Sequence, residues 1–211
     1  MTLAAKNIVI VNTGCANIYS VQCAFERLGV KVTVSDDPKI IIAADKVLLP
    51  GVGSAYAAMA SIKQKQLVDV LQQLTQPVLG ICLGMQLMAK SSNEKPGSHV
   101  ATSKTDVVEC LDLIPTQIER MEVGDLVLPH MGWNRVVLES PHPLFKDIEQ
   151  GEYFYFVHSF CAPISGNTLA KCDYGMPFSA AIFKDNFFGV QFHPERSGKA
   201  GAQLLKNFVE M

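Results

Sequence analysis

The sequence predicts an α/β fold, a doubly wound and mostly parallel sheet flanked by helices, with an antiparallel extension. Three observations carry this prediction. Through residue 90, short apolar runs alternate with longer amphipathic stretches, which is typical of buried parallel strands joined by helices. After residue 150, strand-like runs follow one another closely. The 211 residues, 48% of them hydrophobic, suffice for one substantial core, so a single domain over residues 1–211 is expected.

The helices and strands of the first half are predicted from the periodicity of apolar residues and from capping residues. The run "NIVIVN" has no polar face, as expected of a strand covered on both sides. Ile18, Val21, Phe25 and Leu28 form one helical stripe that ends before Gly29. Ser54 is suited to cap the next long helix. The predicted strands are 7–12, 30–35, 46–50 and 77–81, and the predicted helices are 16–28, 55–74 and 83–90.

The second half is less regular. Residues 91–99 read as a loop, and prolines at 129, 141 and 143 interrupt short apolar pieces, so no elements are assigned between residues 91 and 150. Beyond that point the predicted strands are 153–160, 179–184 and 186–193, and an amphipathic helix covers 200–210.

Composition excludes several classes of function. The net charge is −2 without a basic run, which argues against a nucleic-acid partner, and no apolar stretch approaches the ~20 residues of a membrane helix. The N-terminus reads as a strand, not a signal peptide, so a cytoplasmic protein is expected. Neither the six cysteines nor the five histidines show metal-ligand spacing, and no metal or cofactor is expected. Four cysteines are assigned to packing: Cys15, Cys23, Cys161 and Cys172.

Cys82 is the candidate nucleophile. It lies between Gly80 and Gly84, at the predicted junction of a strand and a helix. Glycines two residues to either side permit the sharp turn that exposes a nucleophile, and the helix N-terminus favours a thiolate. The alternative is one more buried cysteine whose neighbouring glycines merely allow close packing.

His193 and Glu195 are the candidate base and its orienting carboxylate. Pro194 is expected to end the strand before it, which places His193 at the carboxyl end of that strand, on the same sheet edge as Cys82. In an extended segment residues two apart project to one side, so Glu195 can fix the imidazole tautomer. Taken alone, His-Pro-Glu could equally be a strand end with a surface carboxylate.

An oxyanion hole is predicted from two backbone segments. The stretch "LLPGVGS" offers the N–H groups of Gly51, Val52 and Gly53, and the turn after Cys82 offers that of Leu83. A dinucleotide-binding loop is a weaker interpretation because the third glycine is missing, and a plain tight turn is also possible. Gln86 lies one helical turn beyond Cys82 and is expected to face the same site, although an exposed helix glutamine is the simpler interpretation.

Together these segments resemble the class I (triad) glutamine amidotransferases. The resemblance to this family rests on three segments, "GICLGMQ", "LPGVG" and "GVQFHPE". A narrower similarity, to the glutaminase subunits of imidazole glycerol phosphate synthases, rests on "LPHMGWNRV", "YFVHS" and "HPERSGKAGAQLLKNF". The resemblance spans nearly the whole chain. It implies the flavodoxin-like fold of that family and hydrolysis of glutamine through a γ-glutamyl thioester on Cys82. It also implies that four residues bind substrate: Gln86, Glu94, Ser159 and Phe160.

The resemblance further implies a partner. In that family the glutaminase forms a heterodimer with a (β/α)8-barrel cyclase, which uses the ammonia to make imidazole glycerol phosphate and an aminoimidazole carboxamide ribotide in histidine biosynthesis. The segment expected to face the barrel is His130, Met131, Gly132, Trp133 and Asn134. From the sequence alone Trp133 could equally be a core residue, as could His158. The alternatives are a glutaminase of another ammonia-requiring pathway and an inactive partner-binding domain.

Overall fold

A computed structural model describes residues 6–14, 17–94 and 107–211. The described strands, numbered along the chain, are β1 Ile8–Val11, β2 Val32–Ser35, β3 Lys46–Gly51, β4 Val78–Cys82, β5 Ala89–Ser92, β6 Val108–Glu109, β7 Ile114–Arg120, β8 His130–Arg135, β9 Val137–Leu138, β10 Tyr153–His158, β11 Phe160–Cys161, β12 Thr168–Asp173, β13 Pro177–Lys184 and β14 Phe187–Val190.

The main sheet has eight strands in the order β2-β1-β3-β4-β14-β13-β12-β9. The first five of these positions run parallel, and β13, β12 and β9 extend the sheet in antiparallel fashion. Two smaller sheets, β10-β8 and β11-β7-β5-β6, lie beside it. The predicted fold class, with its antiparallel extension, is confirmed.

The described helices are α1 Ile18–Arg27, α2 Pro38–Ile42, α3 Ala55–Gln64, α4 Val68–Gln72, α5 Leu83–Leu87 and α6 Gly198–Glu210. Short 3₁₀ turns cover Pro143–Phe145 and Pro194–Arg196.

The parallel half follows the predicted order, and its helix boundaries show where the prediction was wrong. The helix expected over 55–74 is divided into α3 and α4, because Gln66 takes a left-handed backbone conformation with φ 57°. Ser54 does cap α3, accepting a hydrogen bond from the N–H of Ala57 at 3.3 Å. The helix expected over 83–90 ends at Leu87, and the chain continues into β5.

Several strands of the second half were not predicted. β7 alternates buried and exposed residues but contains Pro115, and β8 contains Gly132 and Asn134. These residue types are depleted in strands, and here pairing with β5 and β10 outweighs local preference. β12 was likewise unassigned, although it forms the antiparallel partner of β13.

The core forms two apolar layers, one on each face of the main sheet. Alternate residues of β1 divide between them: Ile8 and Ile10 pack in one layer, and Val9 and Val11 pack in the other. The first layer contains α1, α6 and buried phenylalanines, and the second contains α3, α4 and α5. Burial on both faces explains why β1, β3 and β4 consist almost entirely of apolar residues. No described helix has the length and apolar character needed to cross a membrane.

Candidate functional site

Cys82 occupies a strained turn between β4 and α5. Its backbone angles are φ 53° and ψ −109°, a conformation that side-chain-bearing residues rarely adopt and that accumulates at functional sites. A Cβ on Gly80 would lie 2.7 Å from the Gly84 oxygen and 2.7 Å from the Met85 nitrogen. A Cβ on Gly84 would collide with the carbonyl oxygen of Leu49 in β3. Both glycines are therefore required for α5 to pack directly on the sheet beside the cysteine.

The second functional segment follows the neighbouring strand. β14 pairs in parallel with β4, with Val190 opposite Ile81, so the chain beyond both strands emerges at one sheet edge. β14 ends three residues before His193, earlier than predicted. Glu195 lies in a 3₁₀ turn, not in the extended segment expected, and its Oε1 still reaches His193 Nδ1 at 2.8 Å. Glu195 therefore contacts His193 as predicted, but a 3₁₀ turn brings the two side chains together where an extended segment was expected.

The charges around His193 favour its protonated form. Burial lowers the pKa of His193, but hydrogen bonding and charge from Cys82 and Glu195 outweigh that effect and raise the pKa to about 10. Among the described residues, His193 Nε2 and Glu195 Oε2 have no hydrogen-bond partner of good geometry. Because Nδ1 is bonded to Glu195, Nε2 is the ring nitrogen that remains for proton transfer in a reaction at Cys82.

Ser197 fixes the backbone around His193. Its hydroxyl donates to the carbonyl oxygen of His193 at 2.7 Å and accepts from the N–H of Tyr155 at 2.9 Å. The N–H of His193 in turn donates to the carbonyl of Tyr155 at 2.9 Å. Ser197 is 2% exposed, so these bonds do not compete with water. The sequence reasoning missed this residue.

Cys82, His193 and Glu195 line a single cavity of about 660 Å³. The predicted oxyanion residues Gly51, Val52, Gly53 and Leu83 line it as well. Gly51 lies opposite Cys82 in the β3–β4 pairing, and Gly53 has φ +92°. Leu83 is the first residue of α5, where the backbone N–H has no partner within the helix. These placements bring the two predicted backbone segments to one wall.

Two buried glutamines lie beside Cys82. Gln86 lines the cavity as predicted, and its Nε2 donates to the carbonyl of Phe160 at 2.9 Å and to Gln191 Oε1 at 3.1 Å. Gln191 Nε2 points at Cys82 Sγ, 3.7 Å away. Gln191 was not predicted from the sequence. Its place within the apolar run "GVQF" was a usable signal, because a fully buried amide needs polar partners.

The remaining predicted substrate residues also line the cavity. Glu94 accepts a hydrogen bond from the N–H of Ala55 at 2.8 Å, the first residue of α3. Burial raises the pKa of its carboxyl group, and the Ala55 N–H partly offsets that effect. Ser159, between β10 and β11, and Phe160, the first residue of β11, line the cavity next to Gln86 of α5.

The segment expected to face a partner divides by side-chain direction. Met131 and Trp133 are 63% and 55% exposed, so the alternative of a core tryptophan is wrong. His130 is buried instead, stacked on Tyr174 with ring centroids 4.1 Å apart, and Gly132 and Asn134 are partly buried. His158 is buried, in line with the core alternative, yet it also lines the cavity.

The four other cysteines that the structure describes do not line this cavity. Cys110, Cys161 and Cys172 are buried, and burial raises the pKa of each thiol to about 12, which makes them unreactive at neutral pH. Cys23 is partly exposed, and Cys15 lies outside the described residues. No group of three or more His, Cys, Asp or Glu side chains in the described ranges is placed to hold a metal ion.

Comparison with known proteins identifies relatives over the full length. Residues 9–211 match the family model described as glutamine amidotransferase class-I. The imidazole glycerol phosphate synthase subunit HisH of Colwellia psychrerythraea is 57% identical, covering 99% of this chain and 94% of its own. The HisH subunit of Vibrio parahaemolyticus is 52% identical, covering 99% and 100%.

Solved structures agree on the fold. The PurLQS structure from Thermotoga maritima has a TM-score of 0.72 at 18% identity, covering 97% of this chain and 98% of the other. A glutamine amidotransferase from the same organism has a TM-score of 0.64 at 18% identity, covering 98% and 81%. At this level of identity the likeness concerns the fold.

Proposed function

Because the chain belongs to the class-I glutamine amidotransferase family and, within it, to the HisH subunits of imidazole glycerol phosphate synthase, we propose that it hydrolyses glutamine to glutamate and ammonia and delivers the ammonia within that synthase for histidine biosynthesis. The observation that carries the chemistry is the convergence of Cys82 and the His193–Glu195 pair in one cavity.

The first half-reaction forms a thioester. The Cys82 thiolate attacks the carboxamide carbon of the glutamine side chain, and negative charge develops on the carboxamide oxygen. The N–H of Leu83 and the backbone of Gly51–Gly53 lie on the wall where that charge would be stabilised. The C–N bond then breaks, and His193 gives its Nε2 proton to the departing nitrogen so that ammonia leaves.

The second half-reaction hydrolyses the thioester. Neutral His193 takes a proton from water, the oxygen attacks the carbonyl carbon, and the C–S bond breaks to release glutamate and the thiolate. Glu195 keeps Nδ1 protonated through both steps by its 2.8 Å contact. The pKa of about 10 in the resting site means that His193 begins as the acid, which suits the first proton transfer.

The cavity wall supplies groups suited to an amino acid. The Gln86 amide uses its nitrogen on Phe160 and Gln191, so its oxygen is the acceptor that remains for a substrate ammonium. The Glu94 carboxylate lines the same cavity and offers a negative charge for that ammonium. Ser159 and Phe160 line the same cavity and are proposed to contribute backbone groups to substrate binding.

The receiving partner is proposed to be a (β/α)8-barrel cyclase bound as a heterodimer. Exposed Met131 and Trp133 lie on β8, and Val127 before this strand is 73% exposed, so an apolar surface adjoins the cavity wall at Leu128 and Pro129. Methionine and aromatic residues are enriched at protein interfaces. A biosynthetic synthase of this kind is proposed to work in the cytoplasm.

The test is glutamate release from glutamine by the chain alone and with the barrel cyclase subunit plus the ribulosyl nucleotide on which that cyclase acts, with Cys82→Ala as the control. Release that depends on the partner and disappears in Cys82→Ala is expected. Fast release without any partner would instead favour another amidotransferase pathway. Absence of release under every condition would refute the glutaminase function.

A further inference from the structure

A chain of hydrogen bonds connects β8 to Cys82. Asn134 Nδ2 lies 3.3 Å from His130 Nε2, and His130 Nδ1 lies 3.0 Å from His158 Nε2. His158 Nδ1 lies 2.9 Å from the carbonyl oxygen of Phe160. That oxygen also accepts from Gln86, the residue that orients Gln191 against Cys82 Sγ.

The contacts fix every proton in the histidine pair. A carbonyl oxygen only accepts, so His158 Nδ1 carries a proton, and in a neutral ring Nε2 is then an acceptor. His130 Nδ1 must therefore donate, which leaves its Nε2 to accept from Asn134. Asn134 itself is oriented by the 2.8 Å bond from its Nδ2 to the carbonyl of Asp173.

Burial keeps the pair neutral, as this order requires. His130 and His158 are 3% and 6% exposed, and burial lowers their pKa values to about 4 and about 3. Aromatic rings pack against His130 on both faces, with Phe156 at 5.0 Å and Tyr174 at 4.1 Å between centroids. A single neutral tautomer of each ring is therefore held in place from all sides.

We propose that His130 and His158 are positioning residues for the reaction at Cys82: their ordered tautomers hold the Phe160 carbonyl, which holds Gln86 and, through it, the Gln191 amide against the sulfur. The inference deepens the proposed glutaminase, because Gln86 and Cys82 belong to that site. If the Phe160 carbonyl is released, Gln86 loses an anchor and Gln191 can rotate. Its oxygen would then face the sulfur and disfavour the thiolate.

The substitutions His158→Asn and His158→Gln distinguish a role of His158 in holding the Phe160 carbonyl from a role in merely filling space. The amide nitrogen of asparagine occupies the place of Nδ1 and can donate to Phe160, whereas that of glutamine occupies the place of Nε2. The measurement is the rate at which iodoacetamide alkylates Cys82 in the full chain, assigned by mass spectrometry of the Cys82 peptide. His142→Gln is the matched control, because His142 is a partly buried histidine that caps a 3₁₀ turn away from the cavity.

His158→Gln is expected to slow alkylation about tenfold, the effect of one hydrogen bond to a charged group, and His158→Asn to stay within about twofold of the unsubstituted chain. His142→Gln is expected to leave the rate unchanged. Equal rates for His158→Asn and His158→Gln would overturn the proposal. Alkylation needs no turnover, so this contrast stands or falls separately from glutaminase activity.

Nitrogen-15 NMR of the histidine rings tests the proton order directly. Both rings are expected as neutral Nδ1–H tautomers at pH 7, and an Nε2–H or charged signal from either would overturn the assignment. Should both His158 variants fail to fold, Asn134→Asp decides the question. It replaces the donor at His130 Nε2 by an acceptor, so it is expected to change the His130 tautomer or charge and to slow alkylation. An unchanged rate with changed ring signals would refute the coupling.

Discussion

Replacing Gly80 by alanine tests whether packing of α5 on the sheet determines the site. The new Cβ would lie 2.7–2.8 Å from three backbone atoms of Gly84 and Met85. Real Cβ contacts are essentially never shorter than 3.0 Å and rarely shorter than 3.4 Å. The backbone of α5 and the new Cβ must therefore separate by about 0.3–0.7 Å. Gly80 is paired on both sides, with Leu49 and with Gly189, so the sheet cannot yield and α5 must move.

Overpacking of this kind costs about 1–3 kcal/mol, and the upper half is expected because every opposing atom is backbone. In a domain of this size that corresponds to a fall in Tm of about 4–12 °C. Since α5 carries the Leu83 N–H and Gln86, a displacement of half an ångström is also expected to lower kcat/KM about tenfold.

The assays are thermal unfolding and partner-stimulated glutamate release. Gly166→Ala is the matched control, because no atom lies within 4 Å of a Cβ there, and its effect is expected within about 0.5 kcal/mol. A Gly80→Ala protein with unchanged Tm and full activity would show that α5 is not held against the sheet as described, and the reasoning would fail.

Three further predictions concern the cavity. Ser197→Ala leaves the Tyr155 N–H without its buried partner, while the His193 carbonyl keeps only the N–H of Arg196. Urea unfolding is therefore expected to show a loss of about 1–3 kcal/mol together with a lower kcat, and an unchanged kcat would contradict a role in holding His193. Cys82→Ala removes the foremost effect that raises the pKa of His193, so NMR titration is expected to show that pKa falling from about 10, whereas no change would mean that Glu195 alone sustains it. Burial raises the pKa of the Glu94 carboxyl group, so folding disfavours its ionised form. Glu94→Gln is therefore expected to raise Tm at pH 7 and to raise the KM for glutamine, whereas a lower Tm would show that burial of this charge does not destabilise the protein.

The parts of the fold predicted correctly are those encoded locally. The β-branched run of β1 and the apolar run "VLL" within β3 predicted these two strands, because strands buried on both faces consist mostly of apolar residues. Cys82 was predicted as the candidate nucleophile from the glycines two residues to either side of it, a pattern that spans only five residues of sequence, although Gly84 is required by its close approach to the distant Leu49 in β3. His193 and Glu195 were likewise predicted as a pair, although a 3₁₀ turn, not an extended strand, brings them together.

The features that were missed depend on contacts between distant segments. β8 contains a glycine and an asparagine and becomes a strand through pairing with β10, some twenty residues later. The His130–His158 bond joins residues 28 positions apart, and the Gln191–Cys82 contact spans 109. Neither spacing has a period or motif that could be recognised in advance.

The position of β14 has a consequence for how the chain reaches this state. β14 is an inner strand of the main sheet, between β4 and β13, yet it is joined to β4 in parallel across more than a hundred residues. Pairing over such sequence distances is slow, because loop closure must precede any stabilising contact. Until it occurs, β4 presents a bare edge of five residues that are all buried in the finished protein. An unpaired apolar edge is a template for pairing with another chain, so we expect the yield of folded protein during synthesis to depend on how fast β14 pairs with β4.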